Sequence, residues 1–289
     1  MKKKLEIFQI DAFTKVPFQG NPAAVAFSDR LNTKEKKLIA NEMNLSETAF
    51  ISKSKKADYK LQWFTPTTEV KLCGHATIAS LHFLTKKKLL KNGQQIKFET
   101  LSGILNCFRE KNNYYMQLPI PKISIYKNSS EELFKILGLK ANEYDKDLPF
   151  VIMNHEICYI NVNSLDVLRN IEPDFNALLK LGKTKREFRN LVVFTTETFE
   201  KNNSAHSRCF APYFGINEDP VTGSTNGPLL LVLIKLGSIN QQKKIISVTF
   251  EQGDFIGRNG RVKVIFNTVK NELYISGKAV TILKGSLSI

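Results

Sequence analysis

A carboxylate and an imidazole stand where turns meet regular elements, and such a pair can move a proton on and off carbon. Glu47 lies at a helix-loop-strand junction, flanked by Leu45, Ala49 and Phe50, apolar neighbours able to desolvate it. Burial raises a carboxyl pKa toward the working pH, which a base acting on a carbon acid needs; the alternative is a surface glutamate at a strand end. His75 follows Gly74 at the start of an apolar run. There a helix dipole favours the neutral imidazole, suited to holding a substrate, relaying a proton or simply capping. Ser224, after Gly223, could bind a carboxylate through its N–H and hydroxyl or serve as an N-cap. Asp219 precedes Pro220, a pair that by itself reads as a turn.

The elements that must position these groups follow from periodicity. Lys4–Ala12 alternates as a strand, and Ala23–Phe27 forms another after a turn at Gln19-Gly20-Asn21-Pro22. A helix capped by Asn32 or Thr33 carries Leu38, Ile39 and Met43 at helical spacing and ends at Asn44. Strands are expected at Glu47–Ser52, Tyr59–Phe64, Ile96–Phe98 and Leu105–Phe108, with a helix over Gly74–Leu84. Residues 118–128, with Pro119 and Pro121, read as a linker. Beyond it come a helix over Ser129–Leu137, strands at Ile157–Val162 and Leu191–Thr195, and a helix from Asp166 to Asn170 or beyond. The expected lobes are 1–121 and 122–277, with 278–289 returning to the first.

The two halves echo each other. Phe64-Thr65-Pro66 precedes Gly74-His75 and an apolar helix, as Phe210-Ala211-Pro212 precedes Gly223-Ser224 and another. Each helix is followed by a strand ending Phe-Glu, at 98–99 and 250–251, then a glycine at 103 or 253, and each half closes with a short hairpin. This predicts an α/β (α+β) fold of two pseudo-twofold-related lobes, each wrapping a sheet around a central apolar helix. If both helices point their N-termini into one cleft, they form an anion site suited to a carboxylate.

Composition excludes several classes. The chain has 289 residues, 42 of them Lys or Arg and 27 Asp or Glu, a formal charge of +15. Thirty-four of the basic residues are lysines spread along the chain, and no nucleic-acid motif accompanies them, so a lysine-rich surface is expected rather than a nucleic-acid site. The apolar stretch Pro228–Ile234 is far shorter than the roughly 20 residues needed to span a bilayer. The opening MKKKLEIFQIDAF is broken by Glu6, Gln9 and Asp11 and reads as a strand rather than a signal peptide, so a soluble, cytoplasmic protein is expected. Cys73, Cys107, Cys158 and Cys209 stand singly, indicating neither a zinc site nor a disulfide framework. No phosphate loop, HExxH or dinucleotide fingerprint is present, so no cofactor or metal is expected.

The segments Asn-Leu-Ser-Glu-Thr-Ala-Phe (44–50), Trp-Phe-Thr-Pro-Thr-Thr-Glu (63–69), Cys-Gly-His-Ala-Thr (73–77) and Asp-Pro-Val-Thr-Gly-Ser (219–224) resemble, in order and separation, the signature segments of the PhzF family. The opening strand, the Gly-Asn-Pro turn at 20–22 and the Gly-Lys-Ala-Val-Thr ending fit as well. The resemblance implies a diaminopimelate-epimerase-like fold, a homodimer, and an acid/base isomerase acting on a small carboxylate-bearing substrate between two lobes. In phenazine biosynthesis the type enzyme shifts a proton on a dihydro-hydroxyanthranilate. Carried over, Glu47 matches the catalytic glutamate, His75 and Asp219 match polar groups of the site, and Gly74, Gly223 and Ser224 match its substrate-holding turns. Glu69 is a further candidate. Lys71 stands where the family more often has an acidic or apolar residue, which bears on the substrate more than on the reaction.

Two rivals remain open. Cys-Gly-His-Ala-Thr also resembles the first cysteine motif of proline racemase and diaminopimelate epimerase, which use two facing cysteines. Here Thr222 occupies the matching place before Gly223, which leaves a one-cysteine racemase or dehydratase using Cys73 unless Cys209 approaches from elsewhere. A non-catalytic binder of small carboxylates is the third reading.

Overall fold

A computed structural model describes residues 4–126, 131–144 and 148–289. Its contacts divide the chain into two units, one of Met1–Leu118, Gly260–Val262 and Tyr274–Ile289 and the other of Pro119–Asn259 and Lys263–Leu273. In chain order the first unit holds β1 (Lys4–Ala12), β2 (Asn21–Phe27), α1 (Thr33–Met43), β3 (Glu47–Ser52), β4 (Tyr59–Phe64), β5 (Glu69–Val70), α2 (Gly74–Lys86), β6 (Gln95–Thr100), β7 (Gly103–Glu110) and β8 (Asn113–Leu118). The second holds β9 (Ile123–Tyr126), α3 (Glu131–Leu137), β10 (Phe150–Met153), β11 (Ile157–Asn161), α4 (Leu165–Arg169), α5 (Phe175–Thr184), β12 (Asn190–Thr195), β13 (Ala205–Ala211), β14 (Ile216–Asp219), α6 (Gly223–Lys235) and β15 (Ile245–Gln252). Strands β16 (Gly260–Asn267), β17 (Glu272–Gly277) and β18 (Ala279–Ser288) close the chain, and β18 runs antiparallel beside β1 from Ala279 opposite Ala12 to Ser288 opposite Lys4.

Within the first unit β1 is antiparallel to β2, β2 parallel to β3, β3 antiparallel to β4, and β4 antiparallel to β5 and parallel to β6. The second unit repeats the series: β10 antiparallel to β11, β11 parallel to β12, β12 antiparallel to β13, and β13 antiparallel to β14 and parallel to β15. The repeated Phe-Glu pairs hold the same register, Phe98 opposite Tyr59 and Phe250 opposite Ala205.

Local chemistry fixes the ends. Asn32 caps α1 in a full capping box with Glu35, and Asn44 ends the helix at φ 47°. α2 is buried from Gly74 to Leu84 and packs against β1, β2, β3, β8 and β18. A helix enclosed all round must satisfy its polar groups internally. Thr77 and Ser80 accordingly donate to the carbonyls of Cys73 and Ala76, and His82 meets Tyr114 and Thr281. The second unit packs Leu137, Ile160, Leu168, Val193 and Phe210 in its own core.

Two readings of the sequence change. Ile123–Tyr126, expected within the linker, is strand β9 paired with β10, because Ile123 and Ile125 alternate despite the nearby prolines. Asn21, expected in a turn, is already the first residue of β2, opposite Ala12. The part of the linker at 127–128 and the start of the expected helix at Ser129 lie outside the described residues.

Candidate active site

Three elements converge at the N-terminal end of α2. Asn44 ends α1 and turns Leu45 and Ser46 into β3, which begins at Glu47. The parallel register of β2 with β3, Ala23 opposite Glu47, leaves Asn21 at the same end of the sheet. α2 starts at Gly74 against both strands, which sets His75 beside them. His75 Nε2 lies 3.3 Å from Glu47 Oε2 and 3.3 Å from Ser46 Oγ, while Nδ1 lies 3.1 Å from Asn21 Nδ2. The Glu47 side chain keeps 13% of its surface exposed and that of His75 only 5%, so the imidazole is enclosed and the glutamate is the more open of the two.

Cys73 is the N-cap residue of α2 but makes no side-chain capping bond; its sulfur lies 3.6 Å from His75 Nδ1 and 4.0 Å from Nε2. The positive end of the helix dipole thus lies beside Glu47 and His75, a setting that favours negative charge. Glu47, Cys73 and His75 offer ligand atoms within 4.8 Å of one another, a donor set that zinc accepts. The sulfur lies nearer Nδ1, however, and the carboxylate addresses Nε2. Nε2 alone lies 3.3 Å from the carboxylate and 4.0 Å from the sulfur, so the same three groups also form a chain from carboxylate through imidazole to thiol. Glu69 is held elsewhere, accepting from Gln62, whose carbonyl accepts from Lys36.

In the second unit Asp219 ends β14, buried, and Thr222 donates its hydroxyl to Asp219 Oδ2. Gln252 organises this turn: Oε1 accepts from Thr222 N at 2.9 Å, and Nε2 donates to Asp219 O at 2.8 Å. Asn226 Nδ2 donates to the same Gln252 Oε1 at 2.6 Å. Thr222 is the N-cap residue of α6, as Cys73 is of α2, so Gly223 and Ser224 open the helix as Gly74 and His75 open theirs. Cys209 pairs across the sheet with Asp219 and donates to Asn190 at 3.2 Å. Burial, with the Asp219 carboxylate nearby, pushes its thiol up to about 12, which suits it poorly to proton transfer.

The structure brings Glu47, Cys73 and His75 together in one unit, and Asp219, Gly223 and Ser224 together in the other. Sequence reasoning missed Asn21, Ser46, Gln252 and Asn226. Asn21 was hidden in an apparent Gly-Asn-Pro turn. Gln252 carried a usable signal, a polar residue directly after the repeated Phe-Glu pair.

The fold is one that epimerases share. A hydroxyproline epimerase of Agrobacterium vitis superposes with a TM-score of 0.64 over 100% of this chain and 94% of its own, at 10% identity, a likeness of fold alone. The chain belongs to the phenazine biosynthesis-like protein (PhzC-PhzF) family, whose model matches residues 10–285. It is 35% identical to an uncharacterized isomerase of Clostridium acetobutylicum across 99% of both chains. A crystal structure of a PhzF family phenazine biosynthesis protein of Bacillus anthracis matches it with a TM-score of 0.91 and 28% identity, over 99% of this chain and 100% of that one. The protein is an enzyme of the isomerase class. No helix among the described residues is long and apolar enough to cross a membrane.

Proposed function

We propose that the enzyme shifts a proton on a small carboxylate-bearing carbon acid, with Glu47 as general acid/base and no cofactor. The observation that carries this reading is Glu47, its side chain partly exposed and its carboxylate held 3.3 Å from His75 Nε2 beside the N-terminus of a buried helix. Glu47 takes the proton from carbon, leaving a carbanion whose charge spreads into the adjoining carboxylate or diene. The same carboxyl then returns the proton at another carbon, so the reaction balances with no external oxidant or reductant. Backbone N–H groups at Gly74, and at Gly223 and Ser224 on the second unit, are suited to hold the substrate carboxylate. Asp219, fixed by Thr222 and Gln252, is assigned to the same reaction as a polar group near the substrate. A homodimer in the cytoplasm completes the proposal.

The test is mass-spectrometric deuterium uptake from solvent into small amino, hydroxy and dihydroaromatic acids, using wild type, Glu47→Gln and Cys73→Ser. Removing a general base should lower uptake roughly 10²- to 10⁴-fold in Glu47→Gln and leave Cys73→Ser active. Loss confined to Cys73→Ser would instead support a one-cysteine dehydratase or racemase, a reading kept by the nearness of that sulfur to His75. Tight binding of an acid without uptake would favour a binding protein.

A further inference from the structure

We propose that Asn21 is a positioning residue that fixes the tautomer of His75, placing the ring proton on Nε2 where it meets Glu47. The inference rests on the reading of Glu47 as the base and adds a residue to that site. Asn21 is fully buried. It is delivered by a bend that only glycine permits, since Gly20 has φ +65° and a Cβ there would lie 2.1 Å from the Ala12 carbonyl oxygen. The bend leads directly into β2, whose first residue presents its amide nitrogen 3.1 Å from His75 Nδ1.

Hydrogen-bond direction then decides the proton's place. In this orientation the amide nitrogen donates and Nδ1 accepts, and a neutral ring with Nδ1 unprotonated carries its hydrogen on Nε2. Cys73, 3.6 Å from the same Nδ1, can add a second donor through its S–H. At the other side of the ring, Nε2 faces Glu47 Oε2 at 3.3 Å, and a carboxylate only accepts. Both sides of the imidazole therefore call for the same tautomer. The reverse tautomer would set a nitrogen lone pair against a carboxylate oxygen and a donor against a donor. With Nε2–H in place, His75 orients the Glu47 carboxylate and favours its ionised form, the form that accepts a proton from carbon.

The experiment is long-range ¹H–¹⁵N correlation NMR on protein labelled at histidine, without substrate, with the His75 signals assigned by their loss in His75→Gln. Wild type should show a protonated Nε2 and an unprotonated Nδ1, and Cys73→Ala should keep that pattern. Asn21→Asp offers Nδ1 an acceptor and should bring a proton onto Nδ1, while Asn21→Ala, which leaves Glu47 to hold the Nε2 proton, should keep the wild-type pattern. In deuterium uptake, Asn21→Asp should lose roughly 10²- to 10⁴-fold in turnover with little change in KM, the order of loss a misplaced ring proton produces. A wild-type His75 protonated at Nδ1, or a pattern unchanged in Asn21→Asp, would overturn the assignment. The spectrum needs no turnover, so a failure of Glu47 as the base would appear only in the uptake assay.

Discussion

Glu251→Gln should destabilise the second unit by about 3 kcal/mol at pH 7, and the deficit should fade in acid. Glu251 is wholly buried. Its Oε1 accepts from Glu200 N at 2.8 Å and Asn203 Nδ2 at 2.7 Å, and its Oε2 accepts from Phe199 N at 2.8 Å and meets His206 Nδ1 at 3.0 Å. Burial alone would push the carboxyl up. The His206 ring, the Asn203 amide and the two backbone N–H groups outweigh it and hold the pKa at about 2, against an ordinary 4.5. That difference corresponds to about 3 kcal/mol of folding free energy. A glutamine cannot replace the carboxylate, because whichever oxygen becomes NH₂ then faces a backbone N–H. The sign follows from the lowered pKa: the contribution is complete above about pH 5, shrinks as the unfolded chain takes up its proton, and is gone near pH 2. Urea denaturation followed by far-ultraviolet circular dichroism at pH 7, 5, 4 and 3 reads this directly. The gap between wild type and variant should be widest at pH 7 and more than half closed by about pH 3. Hydrogen exchange should also speed up at the Phe199 and Glu200 amides. Equal midpoints at pH 7, or a gap independent of pH, would refute the reasoning.

Other consequences are equally open to measurement. Gly20→Ala places a Cβ against the Ala12 carbonyl at positive φ, so its loss of stability in thermal unfolding should exceed the about 1–3 kcal/mol that backbone strain alone costs. Cys209→Ala should keep wild-type deuterium uptake, and native Cys209 should resist iodoacetamide, because its thiol is held near 12. His82, buried between Tyr114 and Thr281, has its pKa lowered to about 4, chiefly by burial. Its ring resonances should not titrate between pH 8 and 5, and stability should fall as pH drops from about 6.5 toward 4, where only the unfolded chain binds that proton.

What the sequence disclosed and what it hid have different physical causes. Caps and periodicity are local, so Asn32, Asn44, the strand at Glu47 and the helix at Gly74 could be read directly. The side chains that organise the two turns depend on which strands lie parallel. Asn21 meets the His75–Glu47 pair because β2 runs beside β3 and α2 packs against β2, and Gln252 reaches Thr222 because β15 runs beside β13. The duplication makes the contrast sharper, since matching positions of the two units can be compared. The parallel pairs place Glu47 opposite Ala23 and Asn190 opposite Ile157, each opening its strand. At the helix starts Cys73 matches Thr222, and His75 matches Ser224. At these positions the first unit therefore carries a carboxylate, a thiol and an imidazole, while the second carries an amide and two hydroxyls. Asp219 is the exception, and it is engaged by Thr222 and flanked by the buried thiol of Cys209. A racemase that works through a thiol in each lobe needs matching titratable groups at both helix starts. A carboxylate that takes and returns the proton itself needs them at one, and that is the asymmetry this chain displays.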